Sequence, residues 1–78
     1  MSAERKRSLS IAGHRTSVSL EDAFWDALKQ IAAAEGRSVT ALVAQVDSTR
    51  GDTSLSSALR LHVLDHYRRL VDGSNGTT

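Results

Sequence analysis

Apolar and polar residues alternate in the amino-terminal quarter of the chain, and this alternation changes phase partway along. Leu9 and Ile11 occupy odd positions, whereas Val18 and Leu20 occupy even ones. Because successive side chains of a strand point to opposite faces, one straight strand cannot direct all four residues toward the same core. Gly13 lies between the two sets, and it predicts a bulge or a tight turn at this point.

The turn divides this part of the chain into segments with different predicted structures. Residues 15–20 predict a strand, and residues 8–11 are a candidate for a second strand. Residues 1–7 are polar and charged, and we interpret them as a flexible basic arm.

Two amphipathic helices are predicted next. The first starts near Glu21 and runs to about Glu35, where Gly36 supplies the left-handed conformation that commonly ends a helix. Ser38 is a good N-cap for the second helix, which extends to a loop over residues 47–53. Their apolar stripes follow the helical period and comprise Phe24, Leu28 and Ile31, then Val39, Leu42, Val43 and Val46.

The third predicted helix runs from a cap at Ser54 to about Val71 and is apolar on two sides. One face carries Leu55, Leu59, Val63 and Leu70, and another carries Leu61, Leu64, Tyr67 and Val71. A helix of this kind needs cover on both sides. In a chain of 78 residues without cysteine, we expect the second cover to come from another subunit. The sequence thus predicts one domain over residues 8–71 in an obligate dimer, followed by a disordered tail over residues 72–78.

Charge is unevenly distributed along the chain. The net charge is only +1, but residues 1–19 carry four basic side chains against one acidic, whereas residues 20–78 carry six against eight. The positive potential therefore lies at the amino end.

No apolar run approaches the roughly twenty residues of a membrane helix, so we expect a cytoplasmic protein.

One stretch resembles the ribbon-helix-helix superfamily, the Arc and MetJ type of DNA-binding protein. It consists of Arg15-Thr16-Ser17-Val18-Ser19-Leu20-Glu21-Asp22 and a helix that ends in Glu35-Gly36-Arg37-Ser38-Val39. The matching region covers about residues 15–46, and the whole pattern is similar to a variant family of short bacterial ribbon-helix-helix proteins. The resemblance implies a mainly α fold with a short amino-terminal β-ribbon and an extra carboxyl-terminal helix, assembled as an intertwined homodimer.

The resemblance also implies how such a dimer would bind double-stranded DNA and regulate transcription. Two chains pair their strands antiparallel, and the resulting ribbon enters the major groove. Three odd-numbered residues would face the bases, namely Arg15, Ser17 and Ser19. Three even-numbered residues would form the dimer core, namely Thr16, Val18 and Leu20. Ser19 has a rival role, because Ser19-Leu20-Glu21-Asp22 has the spacing of a capping box.

Phosphate contacts are expected from two places. The family holds a phosphate at the amino end of its second helix, which corresponds here to Arg37, Ser38, Val39 and Thr40. The basic arm supplies three further candidates, Arg5, Lys6 and Arg7, which would serve equally well to keep a tail soluble.

The chain departs from the family pattern in its third helix. Since residues 55–60 themselves resemble a family second helix, residues 36–53 are alternatively an inserted segment.

Other functional classes have weaker support. His62 and His66 lie one helical turn apart, but zinc requires three or four ligands and the sequence offers no convincing third one. No nucleophile with a base, paired carboxylates or phosphate loop is present, so we expect neither an enzyme nor a cofactor. Two alternatives to DNA binding remain. One is an antitoxin-like or adaptor module that binds a protein partner through its carboxyl-terminal helix, and the other is a purely structural dimerisation domain.

Overall fold

A computed structural model describes residues 4–74 of the chain as a β-hairpin followed by three helices. The elements are β1 (Glu4–Ile11), β2 (His14–Glu21), α1 (Asp22–Ala34), α2 (Val39–Thr49) and α3 (Leu55–Ser74). The chain thus has a two-stranded antiparallel ribbon followed by helices, with one helix more than a ribbon-helix-helix unit needs. This confirms the predicted mainly α fold with an amino-terminal ribbon and an extra carboxyl-terminal helix, whereas the intertwined homodimer stays a prediction.

A two-residue turn explains the change of phase in the sequence. Ala12 and Gly13 both have positive φ, 52° and 81°, the combination that type I′ hairpin turns require. Ile11 then lies opposite His14, and the pairing continues in register to the far ends of both strands. Because directly opposite residues share a face, odd positions of β1 face the same way as even positions of β2.

The ribbon differs from the expectation in two ways. It contains two strands of the same chain, since β1 pairs with β2 across the turn, and strand pairing between two chains stays a prediction. Residues 4–7, interpreted as a flexible arm, are instead the first half of β1 and pair with the end of β2. Residues 1–3 lie outside the part of the chain that the structure describes.

The helix ends follow the sequence closely, with one correction. Ser38 Oγ accepts a hydrogen bond from the amide of Ala41 at 3.1 Å, and Ser54 Oγ accepts one from Ser57 at 3.2 Å, so both predicted caps are present. The capping-box interpretation of Ser19 is wrong, since the N-cap of α1 is Glu21 and no side chain caps this helix.

Two boundaries differ from the predicted ones. α2 continues to Thr49, into the predicted loop, and α3 continues to Ser74, so residues 72–74 of the predicted disordered tail are helical. The remainder of that tail, residues 75–78, lies outside the described residues.

One core joins the ribbon to all three helices. Its most completely buried side chains are Leu20, Leu28, Ile31, Leu42, Val43 and Leu59. α2 contributes two of these and packs against α1, α3 and β1, so residues 36–53 are an integral part of the fold rather than a detachable insertion. The opposite face of α3 is uncovered, and Leu70, predicted with the buried face, is 52% exposed.

Candidate nucleic-acid interface

The two faces of the hairpin have opposite characters. Val18 is 3% exposed, Leu20 is fully buried and Thr16 is half-buried, so the inner face of β2 packs on the core of its own chain. On the outer face, cross-strand pairs join Lys6 with Ser19, Ser8 with Ser17 and Ser10 with Arg15. We call these six residues the outer ribbon face. They form a continuous polar surface on a rigid support.

The outer ribbon face includes all three predicted base-contacting residues. Arg15 and Ser17 are exposed, and Ser19 is half-buried because it lies near helix α3. The carbonyl oxygen of Ser19 accepts a hydrogen bond from Ser56 Oγ at 2.9 Å, which ties this end of β2 to α3.

Sequence reasoning missed the contribution of β1 to this face. Ser8 and Ser10 are not among the predicted contacts, although they alternate with Leu9 and Ile11. That alternation is the signal that could have found them, once the turn at Gly13 fixes which residues lie opposite each other.

The three cations of the predicted arm are divided between the two faces of the hairpin. Lys6 is exposed on the outer ribbon face. Arg5 and Arg7 lie on the inner face, where both pair with Asp22 at the start of α1, at 3.3 Å and 2.7 Å. Arg7 also donates to the carbonyl of Leu20 at 3.2 Å. These two arginines therefore hold the ribbon against α1 rather than extending freely.

Arg7 is the more firmly held of the two. Its side chain is only 17% exposed, and its guanidinium lies over the ring of Trp25 at 4.9 Å from the centroid. A cation over an indole ring is attracted by the negative ring face. Two side chains of α1, Asp22 and Trp25, thus fix the position of Arg7.

Two carboxylates lie at the open end of the hairpin, where Glu4 and Glu21 are opposite each other. Arg60 of α3 binds both, at 2.6 Å and 3.0 Å, and lies 5.9 Å from the ring centroid of Phe24. Backbone hydrogen bonding and the side-chain hydrogen bond from Arg60 lower the pKa of Glu21. Hydrogen bonds to Glu21 and Glu4 in turn raise the pKa of Arg60. Its single positive charge balances one of these two carboxylates, which are the only acidic side chains of the described hairpin.

The predicted phosphate-binding residues at the start of α2 are separate in sequence from the hairpin. Arg37 pairs with Glu35 at 2.6 Å, and the Ser38 hydroxyl is occupied as the N-cap. The first amides of any helix have no partner within that helix, so Val39 and Thr40 present free donors there. A phosphate would therefore compete with the Glu35 carboxylate for the guanidinium of Arg37.

The remaining polar side chains of the described residues do not indicate a metal site. His62 and His66 are both half-buried on α3, and within residues 4–74 no group of three or more metal-ligating side chains comes together. None of the described helices is long and apolar enough to cross a membrane.

A comparison with known protein families gives one clear result. A family model described as "Ribbon-helix-helix domain" matches residues 4–67, which is most of the chain and includes both strands and most of α3. No curated protein and no solved structure matches the chain. Ribbon-helix-helix domains are in general found in DNA-binding transcription regulators and antitoxins.

Proposed function

The chain belongs to the ribbon-helix-helix domain family, and from this premise we propose that it is a homodimeric regulator that binds specific double-stranded DNA with the outer ribbon face. The observation that carries the proposal is the composition of this face. Its six side chains are hydroxyls and cations, and they stand on a strand pair whose other face is anchored in the core. The Glu4–Glu21 pair that continues this face at the open end of the hairpin is bound by Arg60.

The dimensions of the ribbon suit the major groove. Two paired strands lie about 5 Å apart, and a groove about 12 Å wide admits a two-stranded ribbon with its side chains. Each strand has eight residues, a length of about 27 Å at the usual rise per residue. Small serine side chains keep the backbone close to the base edges, where hydroxyls donate or accept.

Arg15 and Lys6 have distinct roles in this proposal. Arg15 lies beside the turn, at the tip of the ribbon, where a guanidinium is able to donate two hydrogen bonds to guanine. Lys6 lies toward the open end, opposite Ser19, and suits a phosphate contact at the groove edge. The amides of Val39 and Thr40, with Arg37 and Ser38 alongside, are proposed as a further phosphate contact at the start of α2.

Selection of binding fragments from a random DNA pool tests this proposal. We expect enrichment of a short palindrome, because a two-fold dimer presents two equivalent ribbons to two half-sites. Random recovery at low salt and no recovery at physiological salt would instead indicate nonspecific attraction to phosphates.

Two single substitutions then separate base recognition from phosphate binding. Arg15→Ala should weaken binding to the selected site by about 1–3 kcal/mol and binding to random DNA much less. Lys6→Ala should weaken both alike and reduce the slope of log affinity against log salt by about one. Titrations on both DNAs at several salt concentrations measure these effects. If Arg15→Ala changes neither affinity, the ribbon is not the reading surface.

A protein-interaction module is the second candidate function, and the uncovered apolar face of α3 is the observation that favours it. An antitoxin-like or adaptor protein would use this face to hold another protein. A purified chain that binds no DNA but forms a stable complex with one partner of different sequence would support this alternative.

A further inference from the structure

Two carboxylates lie at the end of the outer ribbon face. Glu4 and Glu21 are directly opposite each other, and each is two positions along its strand from the Lys6–Ser19 pair. Side chains two positions apart point to the same face of a strand and lie about 7 Å apart, so both carboxylates continue the outer ribbon face. The surface proposed to meet a polyanion therefore includes two groups that carry the same sign of charge as the polyanion.

Arg60 of α3 binds both carboxylates. Its guanidinium donates to Glu4 Oε2 at 2.6 Å and to Glu21 Oε1 at 3.0 Å. The side chain is 28% exposed, and its guanidinium lies 5.9 Å from the ring centroid of Phe24 on α1. Contacts with both strands and with α1 therefore fix the position of this guanidinium.

A second contact joins the same end of the ribbon to α3. Ser56 Oγ donates to the carbonyl oxygen of Ser19 at 2.9 Å. Ser56 and Arg60 are four residues apart, so they project from the same side of α3. The backbone of β2 is held here by Ser56 and by the fully buried Leu20. Removal of Arg60 would therefore release the two carboxylates without releasing the strand.

We propose that Arg60 is a positioning residue for DNA recognition, which binds Glu4 and Glu21 so that Lys6 stays available to a phosphate. This inference rests on the proposed function of the outer ribbon face. Among residues 4–74, the ion pairs of Glu4 and Glu21 are both with Arg60, and Lys6 is the exposed cation next to them on this face. Carboxylates released from Arg60 would pair with Lys6 and repel phosphates within the Debye length, about 8 Å at physiological salt.

DNA titration of Arg60→Met beside the wild type and Arg69→Met tests this role. Arg69 lies on the same helix and pairs with Asp65 at 2.7 Å, so its replacement removes the same charge without removing a ribbon contact. At low salt, Arg60→Met should bind the selected site on the order of tenfold more weakly, because each released carboxylate about 7 Å from a phosphate contributes roughly threefold. Its slope of log affinity against log salt should be smaller by about one, since Lys6 no longer neutralises a phosphate. Arg69→Met should bind like the wild type.

Replacement of the carboxylates separates positioning from a direct contact of Arg60 with DNA. Glu4→Gln and Glu21→Gln, added together to Arg60→Met, should restore at least the wild-type affinity, because the groups that Arg60 binds are then uncharged. Asp26→Asn and Asp65→Asn, added together to Arg60→Met, are the control for total charge and should not restore it. Both aspartates are ion-paired on helices outside the ribbon. A triple variant as weak as Arg60→Met alone would overturn the inference, and so would equal rescue by the control pair.

The same triple variant decides the matter in case Arg60→Met does not fold. The inference requires Arg60 to be dispensable once Glu4 and Glu21 are both amides. A triple variant with wild-type circular dichroism and wild-type affinity supports it. A triple variant that folds but binds on the order of tenfold more weakly would overturn it. So would one that does not fold, because Arg60 would then be needed for the fold itself.

DNA binding by the wild type distinguishes failure of this inference from failure of the proposed function. A wild type that selects no DNA would overturn both. A wild type that selects a site, with equal affinities for Arg60→Met and Arg69→Met, would leave the proposed function standing while this inference fails.

Discussion

The outer ribbon face and the exposed apolar face of α3, formed by Leu61, Leu64, Tyr67 and Val71, differ in what exposure costs. Hydroxyls and cations on the ribbon keep their hydration in water. The α3 face gains free energy only when its apolar side chains leave water. The ribbon face is therefore stable in a single chain, whereas the α3 face is stabilised by contact with another surface.

The largest expected effect distinguishes the inner and outer faces of the ribbon. Val18→Asp should abolish folding, because Val18 is 3% exposed and an unpaired carboxylate in the core costs several kcal/mol. Ser17→Asp, one residue away on the outer face, should fold normally and bind DNA more weakly through repulsion. Circular dichroism and DNA titration of the two variants measure this contrast. A folded Val18→Asp variant would show that the strand register is wrong.

Salt should act on the two exposed surfaces in opposite directions. Each phosphate that the protein neutralises adds about −0.9 to the slope of log DNA affinity against log salt. Rising salt should therefore lower the affinity for DNA by orders of magnitude. Sulfate should strengthen association through the exposed apolar face of α3, because it favours burial of apolar surface. Fluorescence anisotropy of labelled DNA and sedimentation of the protein, in the same sodium sulfate series, check both effects. Dimers that dissociate in sulfate would indicate an electrostatic interface instead.

A smaller effect is expected at the turn that joins the two strands of the ribbon. Ala12 has φ of 52°, where asparagine is better tolerated, so Ala12→Asn should raise the free energy of unfolding by up to about 1 kcal/mol. Gly13→Ala should lower it by about 1–2 kcal/mol, although nothing lies within 4 Å of the added Cβ. Urea unfolding measures both. If Gly13→Ala leaves the free energy of unfolding unchanged, the turn adopts another conformation without loss of stability.

The smallest effect is expected from the carboxylate contact that joins the ribbon to α3. Since the pKa of Glu21 is lowered on folding, its contribution to stability is present above the ordinary carboxyl pKa and is lost as the pH falls through the lowered value. Glu21→Gln should therefore lose less stability than the wild type between neutral pH and about pH 3. Asp52→Asn, in the exposed loop before α3, is the control. If the urea midpoints fall equally in all three proteins as the pH is lowered, this contact does not contribute to the pH dependence of stability.

The sequence predicted the parts of the fold that leave a periodic apolar signal. The turn at Gly13 and the cap at Ser38 were both correct, whereas cover of the second side of α3 by another subunit stays a prediction. Residues 4–7 were missed as a strand because the positions that face inward there are arginines, whose contacts with the distant Asp22, and for Arg7 also with Trp25, leave no apolar signal in the sequence. The base-contacting set stays a prediction, since exposure on a ribbon does not by itself identify what binds to it.

The two-residue turn also determines how the ribbon forms in time. Its paired residues are no more than seventeen positions apart along the chain, so the ribbon closes by local contacts on the microsecond scale of hairpins. In an intertwined dimer, the strand pair forms only when two chains collide, and its rate depends on protein concentration. Here the rate of ribbon formation should be independent of concentration.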